Sequence, residues 1–158
     1  MVSVDGARAL AEGASSPRVR LPAEIRRAIV DHARREAPNE ACGLIVGDRP
    51  IETGGLPLRW VPARNALASP YRYEIDPADL LRVTIETDDR DEAIWGIVHS
   101  HVASPARPSA TDIRQAFYPE AVYLLVSLDP READPVIGAE SLRAWRIAAG
   151  SVTEVLFE

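Results

Sequence analysis

The chain predicts an α+β layered domain, with about three helices packed on a sheet of seven or eight strands. Three observations carry that expectation. Short apolar or alternating runs recur between turn residues from position 41 onward. Helical i, i+3, i+4 spacing with start and stop signals interrupts them three times. A length of 158 residues suffices for one ordinary core but leaves no room for a (β/α)₈ barrel.

Residues 1–16 are rich in Ala, Gly and Ser without apolar periodicity and read as a flexible tail, leaving residues 17–158 as a single domain. Val19 and Leu21 alternate and suggest an edge strand. From Ala23 to Ala37, Ile25, Ala28, Ile29, His32 and Ala33 form one apolar stripe, entered at Pro22 and stopped at Pro38. Arg26, Arg27, Arg34 and Arg35 fall mostly on the outer, solvated face. Ala41–Val46 is an apolar strand ended by the turn Gly47-Asp48-Arg49-Pro50, and Leu58–Val61 is a second. Tyr71–Ile75 alternates and predicts another. Asp76, Pro77 and Asp79 supply an N-cap, a first-turn proline and an N3 acid for a helix reaching about Thr87. Asp88–Glu92 reads as a charged loop. Ile94–His99 and Ala121–Ser127 are buried strands, with a third helix between them from Ser109 to just before Pro119. Leu142–Ile147 and Val152–Phe157 flank Ala148-Ala149-Gly150 as a hairpin.

Composition removes several chemistries. The sequence contains no lysine, so all 18 basic residues are arginine; a P-loop lysine, a Schiff-base lysine and a lysine base are excluded. With 24 acidic side chains and a net charge of −6, the surface is unsuited to coating nucleic acid. One cysteine, Cys42, precludes an internal disulfide framework and fits a reducing cytoplasm. No apolar run approaches the roughly 18 residues of a membrane span, and no signal-peptide pattern opens the chain.

The informative segment is His99-Ser100-His101, seven residues, then Ser109-Ala110-Thr111-Asp112. On a strand, His99 and His101 project to one side and Ser100 to the other. Two imidazoles at that spacing can share a metal ion. Pro105 and Pro108 stiffen the following loop, which can return Asp112 as a carboxylate ligand. Two nitrogens, one oxygen and an open fourth position make the arrangement of a catalytic zinc site. Each part has a plainer reading: H-x-H as two half-buried polar residues, Ser109-x-x-Asp112 as a helix capping box. Jointly the plain readings weaken, since this composition yields the four-residue pattern by chance only about 2 × 10⁻⁴ times per chain. The spacing does not match cupins, the H-E-x-x-H of gluzincins is absent, and one cysteine cannot furnish the P-C-x-x-C of zinc deaminases. A two-histidine, one-carboxylate iron oxygenase shares the ligand set, although its usual order is H-x-D…H.

The pattern H-S-H-x₇-S-x-x-D, with Glu40-Ala41-Cys42-Gly43-Leu44-Ile45-Val46-Gly47 upstream, resembles the JAMM (MPN+) metalloprotease family. Asn65, Ser69-Pro70, Tyr73 and Ile75-Asp76-Pro77 are also family-like, and the resemblance spans about residues 19 to 155. One departure is Val102, where many members carry proline after the second histidine; it bears on loop shape. The chain looks most similar to small prokaryotic members, some resembling enzymes that release cysteine from a sulfur carrier. The resemblance implies an MPN, cytidine-deaminase-like fold with a mixed, curved sheet. It also implies a cytoplasmic zinc metallopeptidase or isopeptidase with one Zn²⁺ per chain on His99, His101 and Asp112. Glu40 would be the general base, and Ser109 the donor to the developing oxyanion. The implied partner is a ubiquitin-like or sulfur-carrier protein, cleaved after its C-terminal Gly-Gly. A partner-binding MPN scaffold without catalysis is the alternative; inactive members lose ligands, and this chain keeps all five residues. Cys42 reads as a small core residue facing the same side as Glu40, and His32 as a boundary histidine. Trp95 reads as core on the face of His99 and His101. Tyr71, Tyr73, Phe117 and Tyr118 read as packing, or else as the lining of a groove for an extended peptide.

Overall fold

A computed structural model describes residues 17–133 and 141–158, so the expected N-terminal tail lies outside the described residues. Its elements are β1 (Arg18–Val19), α1 (Ala23–Glu36), β2 (Cys42–Gly47), β3 (Pro57–Ala63), α2 (Pro77–Asp89), β4 (Ala93–His101), α3 (Ala110–Arg114), β5 (Val122–Ser127), β6 (Ser141–Ala148) and β7 (Ser151–Phe157). The strands form one mixed sheet in the order β1-β7-β6-β5-β4-β2-β3. β4 and β5 run parallel, as do β1 and β7, and the other pairs are antiparallel.

Every residue of β2 and β5 is buried, as a sheet covered on both faces requires. One face packs on α1, whose Ile25, Ile29 and Ala33 meet Ile45, Val98, Leu124 and Val126. The opposite face carries Cys42, Leu44, Ile97, Tyr123, Leu125 and Trp145 and is covered by Val83 of α2 with loop residues such as Ala106. The two apolar clusters therefore sandwich the sheet between helix layers. Asp76 caps α2 as its sequence predicts, its carboxylate accepting from the backbone N–H of Ala78 and Asp79. At the β6–β7 hairpin, Ala149 and Gly150 both have positive φ, 50° and 77°, the backbone that a two-residue primed turn demands.

Four local expectations are corrected. Tyr71–Ile75 is not a strand; a single bridge joins Asn65 to Ile75. The Asn65 side chain bonds the main chain of Leu67, Arg72 and Glu74, so backbone groups that a ladder would use are taken by an amide. α2 runs to Asp89, into the stretch expected as loop. α3 has only five residues, and the N–H of Tyr118 goes to the Tyr123 hydroxyl rather than a helical carbonyl, so a helix reaching Pro119 is not formed. Trp95 is core, but on the other face from His99. The register shifts between Ile45↔Gly96 and Val46↔Ile94, so Trp95 is the extra residue of a β-bulge. It turns toward the α1 side, where its indole N–H donates to Gly55 O at 2.8 Å.

Candidate metal centre

The centre lies at the C-terminal end of β4, where β4 has its parallel partner β5 on one side and antiparallel β2 on the other. Open α/β sheets present ligand sites at such strand ends. Alternation puts His99 and His101 on the α2 face and Ser100 on the other. Ser100 Oγ accepts the N–H of Ala41 at 2.8 Å, and Ser100 N donates to Ala41 O at 3.0 Å. These two bonds tie β4 to the residue that follows Glu40. Beyond His101 the chain is pinned by three donors from its surroundings. His101 Nδ1 meets Pro105 O at 2.7 Å, Ser127 Oγ donates to Ser104 O at 2.7 Å, and Trp145 Nε1 donates to Ala106 O at 3.0 Å. The pinned loop delivers α3, which opens on a capping box: Ser109 Oγ accepts from Asp112 N at 3.1 Å, and Asp112 Oδ2 accepts from Ser109 N at 2.8 Å. The capping box thus fixes where the Asp112 carboxylate points.

His99 Nε2, His101 Nε2 and Asp112 Oδ2 converge on one another. The separations are 3.2 Å between the two nitrogens, 3.2 Å from His101 to the carboxylate and 3.3 Å from His99 to it. The Pro105 carbonyl at Nδ1 requires a proton there, so in the neutral His101 ring Nε2 turns a lone pair into the triangle. A tetrahedral ion with arms of about 2.0–2.1 Å would hold its ligand atoms about 3.3–3.4 Å apart, which the triangle matches. The donor set fits a zinc-type cation, and these three residues form a group able to hold a metal ion. Burial pushes His99 down, toward the neutral form a ligand needs. Burial also opposes charging His101, but the Asp112 hydrogen bond and the Pro105 carbonyl outweigh it and raise its pKa. Asp112 is desolvated too, yet hydrogen bonds from His101 and His99 hold its carboxyl well below the usual carboxylate range.

Glu40, just before β2, is 5% exposed, and its Oε2 has no hydrogen-bond partner among the described residues. Burial pushes its carboxyl up to about 7, with the nearby His101 and Asp112 pulling in opposite directions. A buried carboxyl with one unpartnered oxygen and a pKa raised toward neutrality can exchange a proton near pH 7. Ser109 is exposed, and because its oxygen accepts from Asp112 its own hydroxyl proton remains available to donate outward. Cys42 pairs with His99 across β2 and β4; burial pushes its thiol up to about 12, which leaves it inert as a nucleophile. His32 stands apart from the cluster, with Nε2 3.2 Å from Cys42 O and its ring edge-on to Trp60.

Tyr73 lies flat on the His99 ring, centroids 4.2 Å apart and planes at 18°. It also lines an apolar groove of about 460 Å³ with Leu67, Leu80, Ile97, Phe117 and Tyr118, so the groove opens beside the centre. Tyr71 is 86% exposed and is not part of that lining. The stack on His99 was not legible from spacing, because Tyr73 is on no regular element.

The family described as prokaryotic homologs of the JAB domain matches residues 22–148. The chain belongs to that JAB family. Its curated relatives include the CysO-cysteine peptidase of Mycobacterium tuberculosis, 41% identical over 133 residues and covering 84% of both chains. The desampylase of Haloferax volcanii is 35% identical over 122 residues, 74% of this chain and 86% of the relative. Among solved structures, a Desulfitobacterium hafniense protein superposes with a TM-score of 0.70 at 32% identity over 89% of this chain and 92% of its own. A JAB1/MPN domain protein from Archaeoglobus fulgidus, with a TM-score of 0.50 at 16% identity over 89% of this chain and 97% of its own, shares the fold. The resemblance read from the motif is thereby borne out: this JAB-family chain is a hydrolase of JAMM type with the MPN fold. None of its described helices is long and apolar enough to cross a membrane.

Proposed function

We propose that this JAB-family hydrolase holds one Zn²⁺ on His99, His101 and Asp112 and cleaves a peptide or isopeptide bond after the C-terminal Gly-Gly of a ubiquitin-like or sulfur-carrier protein. The observation that best supports the reading is the triangle of three candidate ligand atoms together with a buried carboxylate whose Oε2 has no hydrogen-bond partner among the described residues. When bound, zinc acts as a Lewis acid and lowers the pKa of a water it holds from about 15.7 to about 7. Glu40 Oε2 takes the proton of the attacking water and returns it to the departing amine, which a carboxyl near pKa 7 can do in both directions. Ser109 Oγ–H donates to the carbonyl oxygen as charge gathers there in the tetrahedral intermediate. His101 is held in its tautomer by Pro105, and Asp112 is oriented by the Ser109 N–H. No acyl-enzyme forms, so Cys42 has no part in the reaction.

The substrate class follows the relatives. The mycobacterial relative, 41% identical, is a CysO-cysteine peptidase, which favours a carrier bearing cysteine over a lysine-linked conjugate. An extended Gly-Gly tail suits the centre, since a carbonyl must reach a strand end that larger side chains would obstruct. The apolar groove beside Tyr73 offers the tail a path. A buried lone thiol fits a reducing compartment, and we assign the reaction to the cytoplasm. The test is a panel of Gly-Gly-terminated carriers bearing cysteine, a linear peptide or a lysine-linked adduct, followed by mass spectrometry. Zinc-loaded protein should release cysteine, and Glu40→Ala should not. Release of nothing from any carrier, or wild-type release by Glu40→Ala, would overturn the assignment.

A further inference from the structure

The two histidines of the centre are held in different ways. His101 has Pro105 O at 2.7 Å on Nδ1, the kind of partner that normally orients a metal-binding imidazole. His99 has none: its Nδ1 is buried without a hydrogen bond among the described residues. What bears on the His99 plane is Tyr73, stacked at 4.2 Å and 18°. The segment that carries Tyr73 is in turn gripped by the Asn65 side chain, beside the main-chain bridge from Asn65 to Ile75. Asn65, itself buried, donates through Nδ2 to Arg72 O at 2.9 Å and accepts at Oδ1 from Glu74 N at 3.1 Å, gripping the residues on either side of Tyr73. The same Nδ2 donates to Glu40 O at 3.0 Å, and Oδ1 also accepts from Leu67 N at 3.0 Å. Glu40 N donates to Ser69 O at 2.8 Å, so residues 65–74 hold the Glu40 main chain at both its donor and its acceptor. All the hydrogen-bonding capacity of the Asn65 amide group is spent on this one junction.

Resting on the zinc reading above, the geometry points to a positioning brace: Tyr73 keeps the His99 ring in the plane from which Nε2 faces the metal, and Asn65 keeps Tyr73 and Glu40 in one register. Stacking replaces the missing hydrogen bond on His99, because a flat contact restrains ring tilt without a polar partner. Asn65 links the two arms of the centre, since one amide contacts both the segment before β2 and the loop that carries Tyr73. An aspartate there would lose both donors and set a carboxylate against two carbonyl oxygens.

The brace is tested with zinc affinity, measured by chelator competition, and with the electronic spectrum of the Co²⁺-substituted protein. Both are read for wild type, Tyr73→Phe, Tyr73→Leu and Asn65→Asp, with circular dichroism confirming the fold of each. Tyr73→Phe keeps the stack and should match wild type within about twofold. Tyr73→Leu should lose about 10-fold or more in affinity, the loss typical when a metal-bound histidine loses its orienting partner, and should shift the Co²⁺ bands. Asn65→Asp should do the same and also lower kcat at saturating metal with KM little changed, because Glu40 loses its anchor. A folded Tyr73→Leu with wild-type affinity and spectrum would overturn the brace while leaving the zinc reading intact. So would a Tyr73→Phe as impaired as Tyr73→Leu, which would make the hydroxyl, not the stack, the active feature. A wild-type protein that takes up no stoichiometric metal would instead overturn the zinc reading, and the brace with it.

Discussion

Replacing Glu40 with glutamine should change how the stability of metal-free protein depends on pH, and the sign follows from burial. In the unfolded chain this carboxyl titrates at its ordinary value of 4.5, whereas burial holds it at about 7 in the fold. Between those values the folded protein keeps a proton that the unfolded chain has released. Stability therefore falls as pH rises through this window, and the full cost is present above it. The difference of about 2.5 pH units corresponds to about 3 kcal/mol in total, of which about 2 kcal/mol develops between pH 5.5 and 8.5. A glutamine amide cannot ionise, so the variant should lack this component. His101 and Asp112 remain in both proteins, and the part of their titration that does not depend on the Glu40 charge cancels in the comparison. The assay is urea unfolding of chelator-treated wild type and Glu40→Gln at both pH values. The variant's advantage should grow by about 2 kcal/mol from the lower to the higher. Equal pH dependence in the two proteins, within about 0.5 kcal/mol, would refute the desolvated carboxyl on which the proposed general-base role rests.

Three further outcomes follow from the same geometry. Asp112→Ala should cut bound zinc from one equivalent to below about a tenth, and should abolish the roughly 2.7 kcal/mol by which zinc at a hundred times its Kd stabilises wild type, read by metal analysis and thermal melting. Ser109→Ala should lose about 1 kcal/mol through the missing cap and about 10²–10³ in kcat through the missing donor, with Ser109→Thr recovering part of both in unfolding and turnover assays. Gly43→Ala should destabilise by about 3 kcal/mol or more in urea unfolding, since a Cβ there would press on the Trp60 ring and lie 2.6 Å from Val61 O, both fixed in the β2–β3 pair.

Much of the centre was legible because its rules are local. Strand alternation alone aligns His99 with His101, and the S-x-x-D spacing alone makes the capping box that presents Asp112. The start of α2 was legible for the same reason, with Asp76 and Pro77 acting within one turn. Trp95 departs from alternation because that rule assumes an unbroken ladder, and a bulge depends on how β4 meets β2 across dozens of residues. Tyr71–Ile75 alternates like a strand, but a buried amide elsewhere in the chain claimed its backbone groups.

From the sequence alone came the candidate ligand set and its helix cap, because residue type and short-range spacing suffice for those, and the motifs by which the chain resembles its family. The tertiary structure decided what each group experiences. It closed His99, His101 and Asp112 to within 3.3 Å of one another. It left Glu40 Oε2 buried without a hydrogen-bond partner among the described residues and laid Tyr73 on His99. Desolvation and ring contact depend on which distant segments pack over a residue, and no spacing within the chain encodes that.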